Sequence, residues 1–166
     1  MAEAIPSATF ETDAPVGVIS DTHGLLRDEA LALLAGCYPL FHLGDVGDPA
    51  ILERLAELAP VHAVRGNIDI EGECASLPLH RRLVINGRAL QLVHDIADID
   101  PGMSCEAVLH GHSHKPRNEW RESASGRQLW FNPGAAGKRR FRLPITLGKL
   151  WIDERGIRGA IVHLPL

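Results

Sequence analysis

Seven side chains of the kind that ligate metal ions recur along the chain in short clusters. They are Asp21 and His23 in ISDTHG, Asp45 in HLGD, Asn67 in RGN, His94 in LVHD, and His112 and His114 in HGHSH. Carboxylate and amide oxygens mixed with imidazole nitrogens suit divalent first-row cations. Each cluster follows a short apolar run that reads as a β-strand, and in open α/β sheets ligands bind where the carboxyl ends of the strands gather. Asp21/His23 and His112/His114 each stand at i and i+2, so both members of a pair can reach one ion or serve two neighbouring ones. Asp45 has two oxygens with which to bridge two ions, and Asn67 offers a neutral carbonyl oxygen. A single DxH or HxH pair says little. Five clusters in this order, each after a strand, imply a two-metal site able to hydrolyse phosphate esters.

The elements that must position these residues are legible in outline. VGVIS at 16–20 is a continuous apolar run, as a buried parallel strand should be. Leu26, Ala30, Leu33 and Leu34 follow helical spacing, and Gly36 is a natural stop. Leu40–Leu43 reads as the next strand. Asp48-Pro49 reads as an N-cap with proline at the first helical position, and Ile51, Leu55 and Leu58 form the apolar stripe. Val61–Val64 is a third strand, so the chain opens with βαβ units and a parallel sheet. The later part is mostly β. Asn86-Gly87 predicts a hairpin between Arg82–Ile85 and Ala89–Val93. Ala107–His110 is a further strand, and two more hairpins are expected around SASG and around Asp153–Gly156. The expectation is an α/β or α+β protein with a two-layered sheet core and helices outside, its single domain running over 15–166 after a flexible tail at 1–14.

Composition narrows the function classes. A chain of 166 residues, 45% hydrophobic and 23% charged, supports one domain with a real core. A net charge of −4 gives no general electrostatic case for nucleic acid. Three cysteines (Cys37, Cys74, Cys105) with no CxxC pair speak against a disulfide framework or structural zinc, and favour a reducing, cytoplasmic setting. No apolar stretch approaches the ~20 residues of a membrane span, and the first residues lack the features of a secretory signal. A homodimer through the apolar C-terminal strands is a further expectation.

The blocks Asp21-Thr22-His23, Gly44-Asp45, Gly66-Asn67, His94 and Gly111-His112-Ser113-His114, followed by Asn132-Pro133-Gly134, resemble the calcineurin-like metallophosphoesterase superfamily. The likeness is strongest to its small single-domain bacterial and archaeal phosphodiesterases, and it runs from about Val16 to Leu164. It implies a mixed β-sandwich of two sheets flanked by helices, in four layers. It also implies that one metal takes Asp21, His23, Asp45 and His114, and the other Asp45, Asn67, His94 and His112. The nucleophile would be a hydroxide shared by the two ions, with Asp45 and Asn67 as catalytic residues. The substrate would be a small-molecule phosphate ester, a diester rather than a monoester. Manganese is the expected metal, with iron, nickel, cobalt and zinc as alternatives.

Three departures from the family pattern matter. Many members read GNH, and that His is thought to act on the leaving group; here Ile68 and Asp69 follow Asn67, as Asp commonly does in the small branch. Asp69 is therefore the candidate stand-in for a general acid, its plainer role being a loop cap. Asp95 follows His94 where the small branch has glycine, which adds charge beside the site. Only seventeen residues separate His94 from His112, including Pro101-Gly102, so any helix there must be short or broken. Arg65 and Arg139 are the candidate substrate-binding cations, Arg139 within the basic run Lys138–Arg142. His42 is expected in the core, or else supporting a ligand. Two other functions fit the fold: a protein-binding scaffold, as in the superfamily's retromer subunit, and a nuclease.

Overall fold

The computed structural model describes residues 5–124 and 126–166. Among the described residues eleven strands form two mixed sheets. One sheet holds β2 (Val16–Ile19), β3 (Leu40–His42), β4 (Val61–Ala63), β10 (Thr146–Asp153) and β11 (Gly156–His163), in the order β11-β10-β2-β3-β4. The other holds β1 (Ser7–Phe10), β5 (His80–Ile85), β6 (Arg88–Val93), β7 (Ala107–Leu109), β8 (Arg117–Ser123) and β9 (Gly126–Asn132), in the order β1-β5-β6-β7-β9-β8. Within the first sheet β2, β3 and β4 are parallel, and within the second so are β6, β7 and β9. Two parallel trios therefore end at the same side of the sandwich, and the candidate ligands follow those ends.

The period-two alternation of a strand decides what each sheet buries. Val16 and Val18 of β2, with Phe41, point toward Leu83, Leu90, Leu92, Leu109 and Phe131 of the other sheet, forming the central core. Each such side chain contributes roughly 1.5–3 kcal/mol by leaving water. Ile19 and Leu40 point the other way, against Leu34 of α1 (Asp28–Leu34) and Ile51 and Leu55 of α2 (Pro49–Ala56). α2 starts as its sequence predicts: Asp48 accepts a hydrogen bond from Ala50 N–H at 2.9 Å, with Pro49 next. A four-residue helix, α3 (Gly72–Ala75), adds Cys74 to this layer.

The outer face of the six-stranded sheet is covered more thinly. There Val93, Cys105 and Val108 pack with Ile99 and Trp130 beneath the 95–105 loop. That loop holds one 3-10 turn, Ile96–Asp98, as its short length and Pro101-Gly102 require. The flexible tail expected over 1–14 is corrected for Ser7–Phe10: this segment pairs in parallel with β5 as an edge strand. Its half-exposed alternation and Thr9 suit such a position, and Asn86 ties the following turn by accepting from Thr12 N–H at 2.9 Å. Residues 1–4 of the expected tail lie outside the described residues. No described helix is long and apolar enough to cross a membrane.

Candidate metal centre

The strand ends converge as their order predicts, and the backbone between them is unusual. Asp21, His23, Asp45, His112 and His114 all have φ between +47° and +72°. Non-glycine residues seldom adopt this left-handed region, and such strain gathers at functional sites. The first two loops hydrogen-bond along their length, Asp21 N–H to Gly44 O, His23 N–H to Asp45 O and Gly24 N–H to Val46 O, all near 3.0 Å. A Cβ on Gly66 would lie 2.1 Å from Asp45 N, and one on Gly111 would lie 2.3 Å from Ser20 Oγ. The motif glycines are there because the ligand loops touch.

Two donor groups result: Asp21, His23 and His114, and Asp45, His94 and His112. Each carboxylate spends one oxygen on the protein and presents the other. Asp21 Oδ2 accepts from Ser20 Oγ at 2.6 Å and from His112 N–H at 3.1 Å. Its Oδ1 is buried without a hydrogen-bond partner, 3.3 Å from His114 Nε2 and 3.8 Å from His23 Nε2. Asp45 Oδ1 accepts from Ile68 N–H at 3.0 Å. Its Oδ2 lies 3.4 Å from His23 Nε2 and 3.3 Å from His94 Nε2, between the two groups. Asn67 Oδ1 faces His94 Nε2 at 3.0 Å and His112 Nδ1 at 3.1 Å. The His23 and His114 Nε2 atoms are 3.2 Å apart.

The orphaned, buried Asp21 Oδ1 with imidazole Nε2 atoms around it fits a cation there, because a buried polar atom otherwise requires a partner. The imidazoles are prepared for it. His94 Nδ1 donates to Leu43 O at 2.7 Å, which leaves Nε2 as the nitrogen facing the cluster. Burial pushes the His94 pKa down, but its bond to Asp45 and the charges of Asp21 and Asp45 outweigh burial and raise it. Burial pushes Asp21 up, yet the hydrogen bonds from His114, His23 and Ser20 prevail and hold it well below the carboxylate range. Asp45 is lowered in the same way, against its own burial, by His94 and the Ile68 amide. The pocket favours negative oxygens and positive charge among them.

The other candidates fall into distinct places. Asp69 is 3% exposed, and its carboxylate accepts from Gly66 N–H at 2.8 Å, Gly47 N–H at 3.2 Å and Val46 N–H at 3.3 Å. The carboxylate is thus spent on three backbone amides and joins two ligand loops, the arrangement of a loop cap. Arg65 donates to Ala75 O at 3.2 Å and lines a cleft beside Asn67 and His94. Arg139 lines a second cleft beside His23 and His114.

His42 is fully buried and belongs to the support of the site. Thr22 Oγ1 donates to Val46 O, so it accepts from His42 Nε2–H at 3.0 Å, while His42 Nδ1 accepts from Gly44 N–H at 3.1 Å. The ring is therefore neutral, and burial pushes its pKa down to about 4. Ser20, Thr22, Asp95 and Asn132 escaped the sequence reading as supporting groups. Asp95 Oδ2 stands 3.7 Å from His112 Nε2. Asn132, of the NPG motif, donates to Gly111 O and Ser113 Oγ at 3.1 Å each and fixes the HGHSH loop. Ser20 and Thr22 beside Asp21, Asp95 beside His94, and Asn132 in NPG were the available signal.

Known proteins share this arrangement in sequence or in fold. The family model of the calcineurin-like phosphoesterase superfamily domain matches residues 15–155. A probable metallophosphoesterase of Methanocaldococcus jannaschii is 34% identical over 61% of this chain; the match spans 59% of that relative's length. The solved phosphoesterase YfcE of E. coli is 26% identical with a TM-score of 0.64, over 90% of this chain and 99% of that one. Vps29 of Entamoeba histolytica, solved with zinc, is 20% identical with a TM-score of 0.63, over 90% and 99% of the two chains, and shares the fold.

Proposed function

The chain belongs to the calcineurin-like phosphoesterase superfamily, and from that premise we propose that it is a metal-dependent phosphodiesterase acting on a small-molecule ester. The observation that carries the reading is the pairing of free oxygens, Asp21 Oδ1 and Asp45 Oδ2, each held among imidazole nitrogens while its partner oxygen is fixed by backbone and hydroxyl donors. Asp21, His23, Asp45 and His114 would hold one ion, and Asp45, Asn67, His94 and His112 the other. Two divalent ions, manganese in this proposal, would supply Lewis acidity and a water of lowered pKa for in-line displacement. The protein's part is to fix geometry. Ser20 and the His112 amide orient Asp21, Leu43 O sets the His94 tautomer, and Asp69 locks the loop that carries Asn67. Arg65 and Arg139 stand on opposite sides of the centre, where each can bind an ester oxygen or a charged substituent.

A scaffold role has support only in the Vps29 likeness, which concerns the fold; an intact ligand set favours chemistry. Three buried free thiols suit a reducing cytoplasm. The test is hydrolysis of bis(p-nitrophenyl) phosphate by metal-stripped protein with and without Mn²⁺, beside p-nitrophenyl phosphate. Turnover of the diester restored by Mn²⁺, and exceeding that of the monoester, is the expected result. Binding of two ions with no hydrolysis of either ester would overturn the reading.

A further inference from the structure

The two clefts beside the metal centre carry opposite charge. The larger, about 500 Å³, opens on the His23 and His114 side and is lined by Lys138, Arg139 and Arg140, with Ile68 as an apolar wall. Among its described lining residues there is no carboxylate. None of the three cations forms an ion pair among the described residues; Arg139 donates to Leu143 O. The smaller, about 220 Å³, opens on the Asn67 and His94 side and is lined by Asp69, Asp95 and Asp98 against a single cation, Arg65. Asp45 Oδ2, 3.4 Å from His23 and 3.3 Å from His94, stands in the wall between them. A diester bound at this wall must send one arm to each side.

We propose that the substrate is an asymmetric phosphodiester. One arm bears a second anionic group, carboxylate or phosphate, and sits at Lys138, Arg139 and Arg140. The other arm is neutral or cationic and sits between Arg65 and the Asp95–Asp98 turn. This deepens the phosphodiesterase reading and rests on it. Three exposed cations lining one cleft, with no carboxylate among its described lining residues, attract an anion and can bond it with charge-assisted hydrogen bonds. The acidic side repels a second negative charge, which also sets a polyanion such as an oligonucleotide at a disadvantage, since its chain would cross both clefts.

The experiment compares p-nitrophenyl diesters whose second arm is ethyl, carboxyethyl, phosphoethyl or choline, with Mn²⁺-loaded protein at low salt. KM for the carboxyethyl and phosphoethyl esters should be roughly fivefold or more below that for the ethyl ester, as one to two partly exposed charge pairs would give. The difference between those two esters then assigns carboxylate or phosphate. The preference should shrink as salt is raised. In Lys138→Gln/Arg140→Gln it should fall toward unity, and in Lys138→Glu/Arg140→Glu the choline ester should become the preferred one. Equal KM values for all four esters would overturn the asymmetry while leaving the diesterase reading intact. A preference that survives both variants would overturn the assignment of the anionic arm to this cleft. Failure to hydrolyse any of the four would bring down the diesterase reading itself, and this proposal with it.

Discussion

The two donor groups of the centre are built from the same residue types yet differ in how firmly the protein holds them. In the first, the side chains of Asp21, His23 and His114 are 0, 26 and 4% exposed, all three residues sit in left-handed bends, and Asp21 is braced by Ser20 and the His112 amide. In the second, Asp45 and His94 are each 4% exposed, but the side chain of His112 is 47% exposed and leans on Asp95 at the surface. Burial and backbone commitment preorganise the first group, so less ordering remains to be done when an ion binds. The expected consequence is that the first group would hold an ion more firmly than the second, without any change of ligand chemistry.

Asp45→Asn should break the comparison altogether, because Asp45 Oδ2 serves both groups. Activity toward bis(p-nitrophenyl) phosphate should fall by about 10³-fold, a loss of about 4 kcal/mol of transition-state stabilisation, and metal analysis should show depletion of both ions. Unchanged activity and full metal content would refute the bridging role. His42 ties the first two ligand loops and offers a pH test. Its folded pKa of about 4 lies below the unfolded value, so the unfolded chain binds more protons between them. Its contribution is complete above about pH 6.5 and is lost as pH falls toward 4, up to about 3 kcal/mol. Chemical denaturation of wild type and His42→Gln across that range should show a shallower slope in the variant. An identical slope would mean that the ring does not carry this linkage.

Asp95→Asn sharpens the comparison, since His112 is the one candidate ligand that Asp95 is seen to reach among the described residues. The weaker ion should lose affinity by about tenfold, as for other groups that orient a metal-binding imidazole, while the tighter ion stays as it was. Loss of the tighter ion instead would reverse the ranking of the two groups. Ser20→Ala is expected to have the smallest effect. It removes one hydrogen bond from Asp21, costs about 1 kcal/mol and lowers Tm by a few degrees. A thermal melt that does not move would show that the His112 amide alone fixes that oxygen.

Much of this was legible in the sequence because the ligands follow strand ends. Val16–Ile19, Leu40–His42 and Val61–Ala63 announce themselves as apolar runs, and each leads straight into a ligand loop. The Asn86-Gly87 hairpin and the Asp48-Pro49 helix start are local signals, and local physics decides them. What escaped depends on contacts across the fold. Ser7–Phe10 becomes a strand only because β5 offers an edge 75 residues away in the chain, Ser7 pairing with Arg82. Asp69 reads as either an acid or a loop cap until Gly66, Gly47 and Val46 are seen to surround it. The roles of Asn132 and Thr22 likewise lie in which loops they join. That these charges line two separate clefts did not follow from the sequence, because Lys138–Arg140 and Asp95–Asp98 lie in loops far apart in the chain.

The most direct test is calorimetric titration of Mn²⁺ into the metal-stripped wild-type protein. Two ions per chain, bound with clearly unequal affinity, the tighter one lost in His114→Ala and the weaker one in His112→Ala, is the predicted result. A single ion per chain, or two whose losses follow the opposite assignment, would contradict the account of a firmly held and a loosely held ion sharing Asp45.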